Sequence, residues 1–349
     1  MSSFWEKLPT PFFVLAPMAD VTDAAFRRII CKYGKPDVTW TEFVSADGLA
    51  SAGREVLKYD LMYTEGERPI VAQLFSAHPD KMREASKLAA ELGFDGIDIN
   101  MGCPDRSIEK QGAGAAMIKN PKSAGLIIQA VKDGIKDAGR DIPVSVKTRV
   151  GYNKIQIDEW IPFLLSQDIA ALTIHARTRK EMSLVPARWE HVKEVVEIRN
   201  KMGLKTKIIG NGDARDINHA KELAKETGCD GVMLGRAIFG NPWLFSKLRS
   251  EYSSKSTNNF LLKIFSARAS RTAQDFSQKI PSLREKLSVM VEHTKLFEEL
   301  LGKVKNFAIM KKHYKAYVNG FDGAKELRME LMEQENSSQI EAVVNKFLD

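Results

Sequence analysis

Short apolar runs of strand length alternate with longer amphipathic stretches over residues 1–246 of this chain. Apolar strands joined by helical crossovers indicate a parallel sheet that is covered on both faces. Eight such units predict an α/β chain that closes into a (β/α)8 TIM barrel. The runs are Phe12–Ala16, Val38–Thr41, Ile70–Leu74, Gly96–Ile99, Val144–Val146, Ala171–Ile174, Lys207–Ile209 and Gly231–Leu234. The helix-like segments between them include Lys81–Leu92, Ser123–Ala138, Trp189–Met202 and Asp216–Thr227.

An open, doubly wound sheet is the alternative arrangement for the same alternation of strands and helices. Sheets of that kind that bind dinucleotides carry a GxGxxG pattern directly after the first strand. Here the first run is followed by Pro17, Met18 and Ala19, so the pattern is absent. The sequence therefore favours the closed barrel.

The alternation stops after Phe245, where the composition changes. Residues 247–282 carry seven Lys and Arg against two acids, and most of this stretch is rich in Ser, Thr, Asn and Gln. Helical spacing of apolar residues returns from Leu283 onwards. The predicted domains are a barrel over 1–250, a linker or basic insertion over 251–281 and a small C-terminal helical domain over 282–349. The helices predicted in its later part cover 303–318, 323–334 and 337–348.

The positive charge of the C-terminal part indicates what kind of partner the protein binds. The net charge of the chain is +7, which is compatible with an anionic partner. Most lysines of a helix over 303–317 must face solvent. They would lie on one broad face with His313 and Tyr314 nearby, and such a face can bind phosphates and stack on an unpaired base. The alternative is a solvated face whose charge only aids solubility. Five lysines and no acid fall in this stretch, namely Lys303, Lys305, Lys311, Lys312 and Lys315.

Composition argues against several other classes of protein. Hydrophobic residues make up 44%, as in ordinary globular proteins, and no apolar run reaches the roughly 18 residues of a membrane span. Residues Met1–Glu6 lack the basic and apolar regions of a secretory signal. Three cysteines without a CxxC pattern fit a reducing compartment and indicate no metal site. We expect a cytoplasmic, monomeric protein without a metal.

Polar or conformationally special residues stand at nearly every predicted strand end. In a (β/α)8 barrel the active site is built at the C-terminal ends of the strands, where the loops converge. We therefore expect these residues to converge at the mouth of the barrel and to form an active site there. In chain order the set is Pro17 and Met18, Glu42, Gln73, Asn100 with Cys103, Lys147, His175, Asn211 with Gly212, and Gly235 with Arg236.

This set has the chemistry of a flavin site. The pyrimidine-like edge of an isoalloxazine ring carries carbonyl and N–H groups, which the amide of Gln73 can match. A cation from Lys147 or His175 can stabilise the reduced ring. The loops after the seventh and eighth strands are the usual phosphate position in barrels. Their glycines admit the phosphate, and Arg236 can bind it through two hydrogen bonds.

Each of these residues also has a simpler interpretation when it is taken alone. Lys147 is then a solvated strand-end lysine and His175 a core histidine. The pair Gly235-Arg236 is an ordinary turn. Glu42 either binds a ligand hydroxyl or caps the next helix.

Cys103 lies within the segment Asn100–Pro104, directly after the fourth predicted strand. The glycine before it and the proline after it favour a tight turn that directs the thiol to the barrel mouth. There it can act as a nucleophile or as an acid, or it is inert. Cys31, in a helical stretch, and Cys229, in a turn, are interpreted as packing residues.

Seven blocks of sequence lie at these strand ends in a fixed order. They are Ala16–Ala19 with Val21–Asp23, Thr41-Glu42, Asp98–Pro104, Val146–Gly151, His175–Thr178, Gly210–Asp213, and Gly235–Ala237 with Asn241–Trp243. Together they resemble the signature blocks of the tRNA-dihydrouridine synthase family. Residues Met310–Tyr314 with Tyr317 resemble the C-terminal helical domain of that family. The resemblance covers 10–247 and 281–349, and the Asn-x-Gly-Cys-Pro block with the tail is its most specific part.

The resemblance implies a flavin-dependent oxidoreductase that reduces uridine in tRNA to 5,6-dihydrouridine. NADPH reduces the flavin, a hydride passes from its N5 to C6 of uridine, and Cys103 protonates C5 from the opposite face. A thiol with a pKa of about 8.5 can quench the enolate character that is left at C5. The residues implied to hold FMN are Gln73, Lys147, His175, Asn211, Gly212, Gly235 and Arg236, with Pro17 and Met18 at the ring and Asp213 in the phosphate loop.

A tRNA substrate implies an RNA-binding surface in the tail. The base must leave its stack to reach the flavin, which costs a few kcal/mol, and contacts of tRNA with Lys311, Lys312 and Lys315 can offset that cost. The basic stretch 253–280 and the segment Asp105–Gln111 depart from the family pattern, so the position of the uridine stays open. The residues at the mouth expected to orient the base or a phosphate are Asn100, Arg177 and Arg179.

Two other functions fit part of these observations. An FMN barrel that acts on a free pyrimidine, such as a dihydroorotate dehydrogenase, can also use a catalytic cysteine, but it needs neither the lysine-rich helix nor the tail. A non-catalytic tRNA-binding protein does not need an intact set of Cys103, Lys147, His175 and Arg236. The sequence favours an enzyme that acts on tRNA over both.

Overall fold

Eight parallel β-strands form the centre of the larger part of the molecule. The computed structural model describes residues 3–246 and 281–349. The strand order is β1-β8-β7-β6-β5-β4-β3-β2, and a parallel bridge between Val14 and Val38 joins β1 to the segment before β2. The predicted (β/α)8 barrel is confirmed. The strands are β1 (Phe12–Leu15), β2 (Thr39–Ser45), β3 (Ile70–Phe75), β4 (Gly96–Met101), β5 (Val144–Arg149), β6 (Ala171–His175), β7 (Lys207–Asn211) and β8 (Gly231–Leu234).

The strands extend further towards their C-terminal ends than the apolar runs predicted. Glu42, Lys147, His175 and Asn211 lie inside β2, β5, β6 and β7 rather than after them. The ladder continues past a polar residue because its hydrogen bonds belong to the backbone. The register then pairs Asn100 with Lys147 and His175 with Asn211. Polar residues of neighbouring strands therefore meet at one end of the barrel.

Helices follow the strands along the chain. Local capping explains the ends of two of the predicted crossovers, since the side chains of Asn120 and Asp216 accept hydrogen bonds from Ser123 N and His219 N. The four helix-like segments predicted from the sequence match observed helices to within two residues at each end. The α-helices are α1 (Ala24–Gly34), α2 (Ala46–Leu49), α3 (Arg54–Leu57), α4 (Pro79–Glu91), α5 (Arg106–Lys110), α6 (Pro121–Asp137), α7 (Ile157–Leu165), α8 (Glu190–Lys201) and α9 (Ile217–Thr227). Short 3-10 helices cover Phe4–Lys7, Lys58–Leu61, Glu65–Glu67, Gly114–Lys119, Arg236–Ile238 and Phe307–Met310.

The C-terminal part of the chain is helical, as predicted. Its α-helices are α10 (Leu283–Leu301), α11 (Lys311–Tyr317), α12 (Ala324–Met332) and α13 (Ser337–Leu348). Helix α10 begins with a capping box, in which Ser282 Oγ accepts from Glu285 N at 3.2 Å and Glu285 accepts from Ser282 N at 2.6 Å. Among the described helices, none is both long enough and apolar enough to cross a membrane.

The helix predicted over 303–318 is too long. Only Lys311–Tyr317 is α-helical, and the 3-10 helix Phe307–Met310 precedes it. The side chain of Asn306 accepts from Ala308 N at 2.8 Å and starts that 3-10 helix. The segment from Gly302 to Asn306 is therefore a turn between two helices.

The prediction that His313 and Tyr314 lie on an exposed basic face is wrong. Both side chains are buried, and the ring of His313 lies 4.8 Å from that of His293 on α10. The sequence did contain a signal for burial, because Met310, Tyr314 and Tyr317 follow the i, i+4, i+7 spacing of an apolar helix face. These rings belong to the core of the helical part, and they are not available for stacking on a base.

The chain divides into two compact units. Of the described residues, the barrel unit comprises 3–27 and 37–237, and the helical unit comprises 28–36, 238–246 and 281–349. Within the described residues, the second half of α1 thus belongs to the helical unit, which sequence periodicity does not indicate. The predicted insertion over 251–281 lies outside the described residues apart from its last position.

Candidate active site

A cavity of about 210 Å³ lies at the C-terminal ends of the strands in the barrel unit. Ala16, Arg177, Ser183, Ala214 and Met233 form part of its wall. The remaining lining residues are nine of the ten that the sequence predicted to bind the cofactor. They are Pro17, Met18, Lys147, His175, Asn211, Gly212, Asp213, Gly235 and Arg236.

A larger cavity of about 840 Å³ lies elsewhere on the barrel unit. Its walls include Val144 and Lys207, which begin β5 and β7, so it opens at the N-terminal ends of the strands. It contains none of the residues predicted for the site. The smaller cavity is the better candidate because titratable groups with shifted pKa values converge on it.

Lys147 brings a positive charge to the cavity from β5. Its Nζ donates a hydrogen bond to Asn211 Oδ1 at 3.3 Å. Burial, assisted by the positive charge of Arg149, lowers the pKa of Lys147 to about 8. The amine is therefore mostly protonated at neutral pH but poorly solvated. Such a cation stabilises an anion or a carbonyl oxygen that enters the cavity.

His175 lies beside this cation as a neutral ring. Burial, followed by the positive charges of Arg149 and Lys147, lowers its pKa well below 6.5. Its Nε2 lies 3.0 Å from Arg177 Nη1. Because a guanidinium can only donate, Nε2 accepts, and the ring proton is assigned to Nδ1. Of the two residues predicted as a possible cation, Lys147 carries the charge and His175 supplies a neutral donor.

Asp213 holds two arginines at the cavity wall. Its carboxylate accepts from Arg177 Nη2 at 2.5 Å and from Arg236 Nη2 at 2.6 Å, and also from Ala187 N at 2.8 Å. Burial alone raises the pKa of Asp213, but the hydrogen bonds from Arg177 and Ala187 and the charges of both arginines outweigh it, so the pKa is lowered. The carboxylate is therefore ionised at neutral pH and fixes the directions of both guanidinium groups.

Two glycines line the cavity. Gly212 has φ +129, a conformation that L side chains rarely adopt, and a Cβ there would lie 2.7 Å from that of Ala187. A Cβ on Gly235 would lie 3.6 Å from Ala16 Cβ and 3.8 Å from Met18 Sδ, within the cavity lining. Both positions therefore line the cavity with backbone only, and Gly212 cannot carry a side chain without a shift of Ala187.

Cys103 lies on the loop directly after β4, where its backbone is held at both ends. Asn100 Oδ1 accepts from Gly102 N at 3.1 Å and from Cys103 N at 2.9 Å, and Ala115 N donates to Cys103 O at 2.9 Å. The side chain is half-buried and packs against the apolar cluster that contains Phe75. Burial raises the pKa of the Cys103 thiol above its ordinary value. The group is therefore a protonated thiol at neutral pH, which suits an acid better than a nucleophile.

The other two cysteines have different surroundings. Cys31 lies in α1, and Cys229 is buried in the turn before β8. Cys229 Sγ donates to Gly231 O at 3.2 Å. None of the three cysteines lines the cavity. Cys31 and Cys229 differ from Cys103 because neither follows the C-terminal end of a strand, in agreement with the interpretation that they serve packing.

Gln73, the tenth predicted cofactor residue, is fully buried inside the barrel and is not part of the cavity lining. Its amide donates to Asp98 Oδ2 at 2.6 Å and accepts from Asn100 Nδ2 at 3.2 Å. Ser145 Oγ donates to the other oxygen of Asp98 at 2.6 Å. Burial raises the pKa of Asp98 to about 6, although the hydrogen bonds from Ser145 and Gln73 oppose the shift. Gln73 and Asn100 thus belong to a hydrogen-bond network inside the barrel. Through Asn100 this network holds the loop after β4 that carries Cys103, here called the cysteine loop.

Arg149 is a buried residue whose role was not predicted from the sequence. Its Nε donates to Gly102 O at 2.7 Å, and its Nη1 donates to Thr178 O at 3.1 Å and Met182 O at 2.9 Å. One guanidinium therefore joins the loop after β4 to the loop after β6. Burial lowers its pKa to about 10, so it stays charged at neutral pH. The signal that could have found it is its position two residues after Lys147, on the same face of β5.

The two arginines predicted to orient the base or a phosphate are both held in ion pairs. Arg177 is buried and binds Asp213, as described above. Arg179 Nε lies 2.8 Å from both carboxylate oxygens of Glu109, and its guanidinium lies 5.3 Å from the ring centroid of Tyr152. Because Glu109 belongs to α5, this pair is a second connection between the cysteine loop and the loop after β6.

Comparisons with known proteins show the family of the chain. A sequence model of a family described as Dihydrouridine synthase (Dus) matches residues 14–349. The chain is 38% identical over 347 residues to a "Probable tRNA-dihydrouridine synthase 2" of Bacillus subtilis (strain 168), covering 99% of this chain and 96% of that protein. It is also 38% identical to a "Probable tRNA-dihydrouridine synthase" of Staphylococcus aureus (strain COL), covering 99% and 95%. These matches confirm the family resemblance of the sequence blocks. A solved histamine dehydrogenase from Rhizobium sp. 4-9 is similar with a TM-score of 0.49 and 13% identity, over 69% of this chain and 46% of that one.

Proposed function

The chain belongs to the dihydrouridine synthase family, and we propose that it reduces uridine to 5,6-dihydrouridine in tRNA, with FMN as bound cofactor and NADPH as reductant. Relatives that match it over 95% or more of their length are named as tRNA-dihydrouridine synthases. The observation that carries the proposal is the combination of a cation-rich cavity with a protonated thiol on a neighbouring loop of the same barrel mouth.

The residues of the cavity fit FMN by their chemistry. Three cations, Lys147, Arg177 and Arg236, line it against one acid, Asp213, which favours an anionic ligand such as a phosphate ester. The open backbone at Gly212 and Gly235 suits close approach of a phosphate or of a flat ring. When FMN is bound there and has been reduced by NADPH, it supplies the hydride that is added to C6 of the uracil.

Cys103 supplies the proton in this proposal. Addition of hydride at C6 leaves negative charge shared between C5 and the O4 carbonyl of the base. The Cys103 thiol gives its proton to C5, which completes the saturated bond, and the thiolate regains a proton from solvent. A raised pKa keeps the thiol protonated before the step, and two hydrogen bonds to Asn100 Oδ1 fix the loop that carries it. A positioned general acid of this kind contributes typically about 10²–10⁴-fold to a rate.

Lys147 and His175 supply two different donors to the cofactor. Lys147 is cationic at neutral pH and is poorly solvated, so it interacts strongly with negative charge on a ring nitrogen or carbonyl oxygen. His175 is neutral, and its Nδ1–H is a donor without a charge. Arg236 is the proposed phosphate ligand, directed by Asp213.

The proposed RNA contact of the helical unit is α11. Lys312 and Lys315 are exposed and Lys311 is half-buried. In residues 281–349 of the described chain, none of the three has an acidic partner within ion-pair distance. Unpaired lysines of this kind bind phosphates mainly by charge, independently of sequence.

The proposal is tested on the purified full-length protein. We expect the visible absorption of an oxidised flavin, its loss on addition of NADPH, and its return when tRNA that lacks dihydrouridine is added. Mass spectrometry of the digested tRNA should show uridines that have gained two hydrogens. A colourless protein that binds no added FMN and leaves tRNA unchanged would overturn the proposal.

The same assay separates the two rival functions. An FMN barrel for free pyrimidines would reoxidise its flavin as fast with orotate, uracil or uridine as with tRNA. A non-catalytic RNA-binding protein would bind tRNA without retaining FMN. The proposed enzyme should retain FMN and should reoxidise it much faster with tRNA than with a free pyrimidine. A free base lacks the phosphate contacts that bring the substrate to the mouth of the barrel.

A further inference from the structure

The loop after β6 exposes apolar side chains at the barrel mouth. Leu184 is 84% exposed, Met182 45% and Val185 36%. Between them, Ser183 lines the active-site cavity. A cluster of exposed apolar groups beside a polar site indicates a binding surface rather than a chance exposure.

This loop is held firmly along its length. Met182 O accepts from Arg149 and Val185 O accepts from Arg177 Nε at 2.6 Å. Leu184 N donates to Glu181 O at 2.9 Å. Both arginines are buried, so the exposed side chains project from a backbone that is fixed to the barrel.

Positive charge lies next to the apolar loop, around Tyr152 of the loop after β5. Lys119 Nζ lies 4.5 Å from the ring centroid of Tyr152, and Lys180 N donates to Tyr152 O at 2.9 Å. Lys154 is two residues further along and exposed. Arg179 also lies over the ring, but Glu109 neutralises it. Within the described barrel unit, Lys119, Lys154 and Lys180 have no acidic partner, so their charges are available to an anion.

We propose that this rim surface, formed by Lys119, Tyr152, Lys154, Lys180, Met182 and Leu184, binds the strand of RNA that flanks the reacting uridine. The lysines contact its phosphates, and Leu184 packs against the base next to the vacated position. This rests on the proposed function, in which the target base leaves its stack. An apolar side chain that covers the exposed neighbouring base recovers part of the lost stacking. Lysines interleaved with apolar groups favour RNA over a purely apolar protein partner.

The charge part of the proposal is tested by changing Lys119, Lys154 and Lys180 together to Gln and measuring tRNA affinity against salt. Each lost phosphate contact lowers the slope of log affinity against log salt by about 0.7–0.9. Between 50 and 200 mM salt the wild type should therefore lose about 20- to 40-fold more affinity than the variant. The matched control changes Lys136, Lys201 and Lys225, which are exposed in the last turns of α6, α8 and α9 and lead to the opposite end of the strands. An unchanged slope in the rim variant, or an equal change in the control, overturns the proposal.

The apolar part is tested with Leu184→Ala. We expect kcat/KM for tRNA to fall roughly tenfold, the equivalent of about 1.4 kcal/mol of lost contact. Leu92→Ala, at a leucine that is 42% exposed beyond the C-terminal end of α4, is the control and should leave kcat/KM unchanged. If instead Leu184→Ala leaves kcat/KM unchanged but alters the mass of the protein in sedimentation, the loop is a contact between copies of the chain and the RNA assignment is wrong.

The wild type separates this inference from the proposed function. A wild type that makes no dihydrouridine on any tRNA removes the proposed function and the rim proposal together. A wild type that makes dihydrouridine, while both rim variants match it in affinity, salt slope and kcat/KM, removes the rim proposal alone.

Discussion

The barrel cavity and helix α11 are both rich in positive charge, but the charges are held in opposite ways. In the cavity, Arg177 is buried and paired with Asp213, and burial lowers the pKa of Lys147 to about 8. On α11, Lys312 and Lys315 are exposed and have no acidic partner among the described residues. Fixed and desolvated charge suits a ligand of one shape, whereas exposed lysines suit a phosphate backbone of any sequence. Each set should therefore be removable without loss of the other function.

The largest effect is expected from a residue that belongs to neither set. Cys103→Ala should bind FMN and tRNA as the wild type does and should accept electrons from NADPH. Its single-turnover rate of dihydrouridine formation should fall by about 10²–10⁴-fold, because the general acid is missing. Rapid mixing of the reduced protein with tRNA, followed by analysis of the product, measures this rate.

Cys31 provides the matched control for that change. It is also a half-buried cysteine, but it lies in α1 and not on a loop that follows the C-terminal end of a strand. Cys31→Ala should therefore keep the wild-type single-turnover rate. Normal product formation by Cys103→Ala would remove Cys103 from the chemistry.

The second largest effect is expected at Arg236, the proposed phosphate ligand. Arg236→Ala should weaken FMN binding by about 10- to 100-fold, since a charged hydrogen bond contributes about 1.5–3 kcal/mol. Arg140→Ala, at an exposed arginine of the opposite end of the barrel unit, is the control. Flavin fluorescence titration measures both, and tRNA affinity should not change in either. Full FMN affinity in Arg236→Ala contradicts the phosphate assignment.

Removing the lysines of α11 should weaken tRNA binding and leave FMN binding unchanged. A variant with Lys311, Lys312 and Lys315 changed to Gln should lose two to three units of salt slope in tRNA binding, at about 0.7–0.9 per phosphate contact. FMN content and NADPH oxidation with a small electron acceptor should remain as in the wild type. If tRNA affinity and its salt dependence stay the same, α11 is not an RNA contact, and the basic stretch 253–280 becomes the next candidate.

The smallest effect concerns the charge of Lys147. In the proposed site the protonated amine binds the cofactor better than the neutral amine, so FMN affinity should be highest well below pH 8 and should decline as the pH rises through the pKa of about 8. Between pH 7 and 9 the flavin-free protein should lose roughly three- to tenfold in affinity. Lys147→Arg keeps its charge over this range and should show a flat profile. An equally steep profile in that variant would assign the titration to another group.

The strands and the polar mouth of the barrel were predictable because both depend on local signals. A buried parallel strand is apolar over most of its length, and the residues at its end must be polar if they line a site. Nine of the ten predicted cofactor residues accordingly line one cavity. Gln73 is the exception, because its burial inside the barrel depends on Asp98 and Asn100 from the neighbouring strand.

By itself, the sequence determined the order of strands and helices, the residues at the barrel mouth and the family, since periodicity and motif blocks are properties of the chain. Tertiary structure alone decided the connections between loops. Arg149 bridges the loops after β4 and β6, and Arg179 meets Glu109 seventy positions away in the chain. It also decided that His313 is core rather than surface. Such contacts depend on which elements become neighbours in space, and hydrophobic burial sets that arrangement without leaving a local pattern.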